Sequence, residues 1–222
     1  MAEIQVVRAI YSGKNIIGCA PTGARKTLSF WITMFMAMYN KIKQKRVIVI
    51  TPLNLLGRQT VESLLKVGIW VVLLMKETTT LAILWEVEAG KYNVMVTNPE
   101  MPVCNKAVQE LFWKPAVAKT LFHFVLDEGH CVNQWANFQQ HYRNLGDLHY
   151  TVPGDIPFYV ASATLPQDIL ENICEMLNLH EETTEFILYL NDHPDIGLMV
   201  QPIVNPVSSY QDLNFLIPGQ LH

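Results

Sequence analysis

Charge is scarce in this chain. Lysine, arginine, aspartate and glutamate make up 16% of its 222 residues, against roughly 25% in an ordinary globular protein. Half the residues are hydrophobic, so a sizeable core can form and disorder is excluded. The sparse charge points to a surface that is modest or that partly meets another domain. A basic excess is missing too. The net charge of −4 gives no overall positive field to attract nucleic acid, so any such binding has to be local. Long apolar runs are also absent. The most apolar, LSFWITMFMAMY from Leu28 to Tyr39, falls short of the roughly 20 residues that a membrane span needs and predicts a buried helix. Cysteine is limited to Cys19, Cys104, Cys131 and Cys174. With no CxxC pair and no secretory leader before them, they read as reduced, buried thiols inside a cell, with no zinc site. There is no internal repeat, low-complexity tract or long linker.

What is present is alternation. NIIGCA (Asn15 to Ala20), RVIVI (Arg46 to Ile50), IWVVLL (Ile69 to Leu74), NVMVT (Asn93 to Thr97), FHFVL (Phe122 to Leu126) and FYVAS (Phe158 to Ser162) are short, continuous apolar runs of the kind found in strands buried on both faces. Helical spacing separates them over Lys26 to Lys43, Leu53 to Lys66, Thr79 to Gly90, around Lys106 to Ala118, and Pro166 to Leu179, with Pro166 suited to a first turn. The order predicts an α/β fold, a mostly parallel sheet with helices on both faces. Ligands bind such sheets beyond the carboxyl ends of the strands. Five polar clusters fall there: APTGARKT, TPLNLL, TNPE, DEGH and SAT.

APTGARKT has the parts of a phosphate loop: Gly23 for a backbone cradle, Lys26 for the outer phosphates, and Thr27 for Mg²⁺. Arg25 stands where glycine is usual, and Ala20 replaces the first glycine of the pattern, so a polar strand-to-helix turn competes as a reading. Asp127 and Glu128, directly after FHFVL, supply what a nucleotide-hydrolysing sheet needs: an acid for Mg²⁺ and an acid to orient water. Helix capping accounts for one of these carboxylates. It does not account for both clusters, which are expected at neighbouring sheet positions.

DEGHCVNQWANFQQHYRNLGDL (Asp127 to Leu148) resembles motif II and the aromatic-rich loop of RecQ-like DNA helicases, of helicase superfamily 2. TPLNLLGRQTVESLLKVGI (Thr51 to Ile69) resembles motif Ia, VTNPE (Val96 to Glu100) motif Ib, and SAT (Ser162 to Thr164) motif III. Gln5, followed by Ile10 and Gly13, sits where the family carries its adenine-reading glutamine. The pattern looks most like fungal sequences of this type. The resemblance runs from Gln5 to about Leu179. It implies a RecA-like ATP-binding lobe over 1–186, with 187–222 as a linker and the start of a second such lobe. It further implies that Thr22, Gly23, Ala24, Arg25, Lys26 and Thr27 cradle ATP, Thr27 and Asp127 hold Mg²⁺, and Glu128 activates water. His130, Ser162 and Thr164 would couple nucleotide state to DNA, and Trp135 and Phe138 would stack on single-stranded or partly duplex DNA. A nuclear location is expected from the resemblance alone.

The sequence departs from the family at Arg25, at WANF, which is one residue shorter than the common WGHDF form, and at both ends. The upstream Phe-Arg, the arginine fingers of the second lobe and the zinc-binding region are not in the sequence, so unwinding by the chain alone is not expected. The expected function is therefore the ATP-binding lobe of a 3′ to 5′ DNA helicase. The alternatives are a helicase-like fold that has lost hydrolysis and serves as a binding module, or an unrelated phosphate-loop enzyme such as a kinase.

Overall fold

Valine and isoleucine fit an extended backbone buried on both faces, and the apolar runs form strands in the computed structural model. It describes residues 2–21, 26–39, 45–131, 140–148, 152, 154–189, 197 and 199–216. In chain order these form α1 (Ala2–Tyr11), β1 (Asn15–Cys19), α2 (Lys26–Tyr39), β2 (Arg46–Ile50), α3 (Asn54–Lys66), β3 (Val71–Leu74) and α4 (Leu81–Glu88). There follow β4 (Val94–Thr97), α5 (Glu100–Cys104), α6 (Lys106–Trp113), α7 (Pro115–Ala118), β5 (Leu121–Leu126), β6 (Phe158–Ser162), α8 (Gln167–Met176) and β7 (Thr184–Leu188).

The seven strands form one sheet in the order β3-β4-β2-β5-β6-β1-β7, and every pairing is parallel. Side chains alternate between two cores. Val47, Val49, Val125, Tyr159 and Ala161 join Val6 of α1, Trp31 and Met34 of α2 and Leu64 of α3. Ile48, Ile50, Phe124, Leu126, Phe158 and Val160 join residues of α4 to α8, including Leu84, Met101, Phe112, Val117 and Ile173. The expected architecture is present, with α1 to α3 on one face and α4 to α8 on the other.

Several boundaries differ from the sequence reading for local reasons. α4 starts at Leu81 because Thr80 caps it, its side chain accepting from Ile83 N–H, and Gly90 at φ +82° follows its end. The helix expected around Lys106 to Ala118 is two. Proline cannot donate an N–H and forces its predecessor out of the helical region, so Lys114 is extended (φ −61°, ψ 128°) and Pro115 begins α7. Pro166 precedes the first turn of α8 instead of entering it. α1, α5 and β7 are additions to the expected elements. Of the cysteines, Cys19 and Cys131 are buried, Cys174 is intermediate and Cys104 is exposed; none is in a disulfide. The expected burial thus holds for Cys19 and Cys131 and is corrected for Cys104 and, in part, Cys174.

Arg46, at the start of β2, is 2% exposed and has no carboxylate partner among the described residues. Its guanidinium donates instead to Thr120 Oγ1 (2.6 Å), to the Val87 carbonyl near the end of α4, and to the Ala116 carbonyl in α7 (2.8 Å). Helix C-termini present unpaired carbonyls and partial negative charge, which compensates the buried cation.

The chain divides into two compact units, Met1–Asn191 and Asp192–His222. Within the second, Val207–Ser209 and Gln211–Leu216 are 3₁₀ turns, and Asp212 accepts from the backbone and side-chain amides of Asn205 at 2.9 and 3.0 Å. Among the described residues no helix is long and apolar enough to cross a membrane, and no three His, Cys, Asp or Glu side chains cluster as metal ligands.

Candidate functional site

The sheet order sets the carboxyl ends of β5, β6 and β1 side by side. The acidic pair and the phosphate-loop segment are therefore not on neighbouring strands, as the sequence suggested. β6, with Ser162 at its end, lies between them. The segment after β1 is stitched to β6: Ala20 N–H donates to the Ser162 carbonyl (3.2 Å), and the Cys19 thiol lies 3.6 Å from the Ala163 carbonyl. Lys26 is the first residue of α2, and its ammonium donates to the carbonyls of Ala20 (2.7 Å) and Pro21 (3.2 Å). It is folded onto the loop that it closes and makes no ion pair with Asp127 among the described residues. Thr22, Gly23, Ala24 and Arg25 lie outside the described residues, and Thr27 is described only as helical backbone.

Asp127 continues the β5 ladder, its N–H donating to the Ile50 carbonyl (3.0 Å), and its Oδ1 accepts from Glu128 N–H (3.1 Å). Burial, with the Glu128 carboxylate beside it, raises the Asp127 pKa to about 6; the bond from Glu128 N–H and the Lys26 charge oppose that shift. Two carboxylates in a partly desolvated place repel, and a cation relieves this. Glu128 takes a left-handed backbone, φ 53°, which turns the chain so that Gly129 N–H reaches the Ala161 carbonyl at 2.8 Å. A Cβ at Gly129 would sit 2.4 Å from Val160 Cγ1, so any larger residue there needs Val160 to move.

This turn delivers His130 to Ser162, with Nδ1 2.9 Å from Ser162 Oγ and 3.3 Å from Glu128 Oε2. Ser162 donates its single proton to the Thr164 carbonyl (2.9 Å), so it accepts from His130. That assigns the Nδ1–H tautomer and leaves Nε2 facing the Cys131 thiol at 3.5 Å. A carboxylate, an imidazole and a hydroxyl thus link the end of β5 to the end of β6. Thr164 is exposed and Gln5 lies on the exposed side of α1; neither side chain makes a hydrogen bond to the site among the described residues. Trp135 and Phe138 lie outside the described residues. Sequence motifs alone do not single out Cys19, or Ser29 with Tyr159, whose hydroxyls meet in the interior; no local pattern marks residues that come together only through the fold.

The family model for DEAD/DEAH box helicases matches residues 2–173. The chain belongs to the DEAD/DEAH box helicase family. It is 28% identical over 181 residues to ATP-dependent DNA helicase Q-like 4B of Arabidopsis thaliana, covering 79% of this chain and 15% of that protein. It is 26% identical over 212 residues to ATP-dependent DNA helicase RecQ of Haemophilus influenzae, covering 91% and 31%. Among solved structures, the DUF1998 helicase MrfA bound to DNA matches with a TM-score of 0.64 at 17% identity, covering 85% of this chain and 25% of that one. The chain therefore spans under a third of the length of these proteins. Its parallel sheet is that of a RecA-like lobe in this helicase family.

The donor set of this DEAD/DEAH box helicase lobe suits Mg²⁺. The carboxylate of Asp127 is a hard oxygen ligand, as is the hydroxyl that Thr27 carries by residue type, and hard oxygen is what this small cation takes. The raised Asp127 pKa marks a charge that the protein's own groups only partly balance.

Proposed function

We propose that this chain is the ATP-binding lobe of a RecQ-type DNA helicase that tracks 3′ to 5′, spanning 1–186, with 187–222 leading into a second RecA-like lobe. The observation that carries this reading is the row of strand ends β1, β6 and β5, which brings Lys26, Ser162, His130, Glu128 and Asp127 to one edge of the sheet. The likeness to proteins named RecQ and Q-like supports the type, and the likeness in fold to MrfA, a helicase whose solved structure holds DNA, supports a nucleic-acid partner.

Lys26 would leave the Ala20 and Pro21 carbonyls for the outer phosphates of ATP. Thr27 and Asp127 would hold Mg²⁺, which when bound neutralises charge on those phosphates. Glu128 would take a proton from the attacking water. His130 shares its Nδ1–H between Glu128 and Ser162, so a change at Glu128 is felt at Ser162 and Thr164, which face the DNA side in this reading. Trp135 and Phe138 would stack on single-stranded bases. A second reading, a binding module without hydrolysis, is favoured by Arg25 in the glycine place of the phosphate loop.

Equilibrium binding of a fluorescent ATP analogue with Mg²⁺ separates these readings. The chain as given is expected to bind, more tightly with single-stranded DNA, and Lys26→Ala to lose roughly 10- to 100-fold, one charge-assisted contact. Binding by Arg25→Gly alone supports the binding module. No binding by either sinks the nucleotide reading.

A further inference from the structure

Ser29 and Tyr159 are 130 positions apart in sequence, and their hydroxyl oxygens are 2.6 Å apart in the interior. They are 4% and 3% exposed. Ser29 lies one turn into α2, its Oγ 2.5 Å from the carbonyl oxygen of Lys26. A serine hydroxyl has one proton. Donated to the Lys26 carbonyl, it leaves Tyr159 as the donor to Ser29. A directed chain results, from Tyr159 through Ser29 to the backbone of Lys26. The tyrosine belongs to β6, three residues before Ser162, and its ring lies over β1. A Cβ at Gly18 would come within 3.0 Å of Tyr159 Cε2 and 3.3 Å of its hydroxyl. The bare glycine admits the ring, one residue before the end of the strand that runs into the phosphate loop.

We propose that Tyr159 is a positioning residue for Lys26: through Ser29 it fixes the first turn of α2 against the strand that carries Ser162. For nucleotide binding this rests on the function proposed above. Core filling alone does not ask for the phenol oxygen, since phenylalanine fills the same space without a buried polar atom to satisfy. The Lys26 side chain has to leave the Ala20 and Pro21 carbonyls to reach a phosphate. It can do so accurately only if its own backbone stays where it is, and the Tyr159–Ser29 chain holds the carbonyl of that residue.

The test uses the full chain and its Tyr159→Phe, Ser29→Ala, double and Gly18→Ala variants. It has two readouts: amide hydrogen exchange at residues 30–33, whose bonds close the first turn of α2, and binding of the fluorescent ATP analogue with Mg²⁺. Tyr159→Phe is expected to speed exchange at 30–33 and to weaken binding about tenfold, with little change in the unfolding midpoint. The double variant should be no weaker than Ser29→Ala, because both substitutions cut one chain. Gly18→Ala should act in the same direction with the hydroxyl retained. Unchanged exchange at 30–33 in Tyr159→Phe overturns the inference, as does unchanged affinity in a chain that binds nucleotide. If the parent chain binds none, the proposed function falls, and exchange alone decides whether Tyr159 holds Lys26.

Discussion

Asp127 and His123 are both perturbed by burial, with opposite consequences. Asp127 has a folded pKa of about 6 against an ordinary 3.8. A raised folded value stabilises the fold below the ordinary pKa, and that contribution is lost as pH rises through about 6. Above that pH the charged carboxylate is a burden on the apo-protein. Asp127→Asn should therefore raise stability against thermal unfolding at pH 8, by about 3 kcal/mol at about 1.4 kcal/mol per pKa unit, while abolishing Mg²⁺-dependent nucleotide binding. Scanning calorimetry and a binding titration would read the two effects. A stabilised but inactive variant indicates that the residue serves a ligand more than the fold. His123 is fully buried on β5 with no hydrogen-bond partner at either ring nitrogen among the described residues, and burial lowers its pKa from 6.5 to about 3. A depressed folded value for a base means that stability is present above pH 6.5 and lost as pH falls towards 3. His123→Leu should leave urea unfolding at pH 8 nearly unchanged and make the protein more stable than the parent at pH 5, by about 2 kcal/mol.

The elements behave as units tied at their ends. Arg46 joins the start of β2 to the carbonyls of α4 and α7. Arg46→Met should lower stability in urea by about 3 kcal/mol or more, because it strands buried acceptors. Gly129→Ala forces a methyl against Val160. Beyond about 1 to 3 kcal/mol of overpacking, it should slow nucleotide hydrolysis in a reconstituted two-lobe enzyme by moving His130 off Ser162, which kinetics with and without DNA would read. Much at this scale is legible in the sequence. Six strands stand out because strands buried on both faces are unbroken apolar runs. Lys26, Asp127, Glu128, His130 and Ser162 stand out because they follow those runs. β7 is hidden by its place at the edge, where only Thr184 and Ile187 are buried, so TEFIL forms no unbroken buried run. The break between α6 and α7 is written in Pro115, although apolar spacing runs through it. The contacts of Arg46, and the meeting of Ser29 with Tyr159, depend on which elements become neighbours, and no local periodicity encodes that.

At the scale of the molecule, strand order decides what can form when. Among the described residues β1 pairs only with β6 and β7. Deleting β7 should strip β1 of one neighbour and turn a central strand into an exposed apolar edge, prone to aggregation; light scattering during refolding would detect it. The same order bears on the birth of the protein. Asn15, at the start of β1, accepts from the amide of Phe158, 143 residues further on. At typical elongation rates of about 5 to 20 residues per second, that strand waits roughly 7 to 30 s on the ribosome before a native neighbour is synthesised. β1, the strand that leads to Ala20 and Pro21, is thus made long before β6 and β7 can seat it. On the proposed reading, a nucleotide would come too late to template β1; it would lock a sheet already closed around that strand, and a chaperone that shields NIIGC meanwhile would raise the yield.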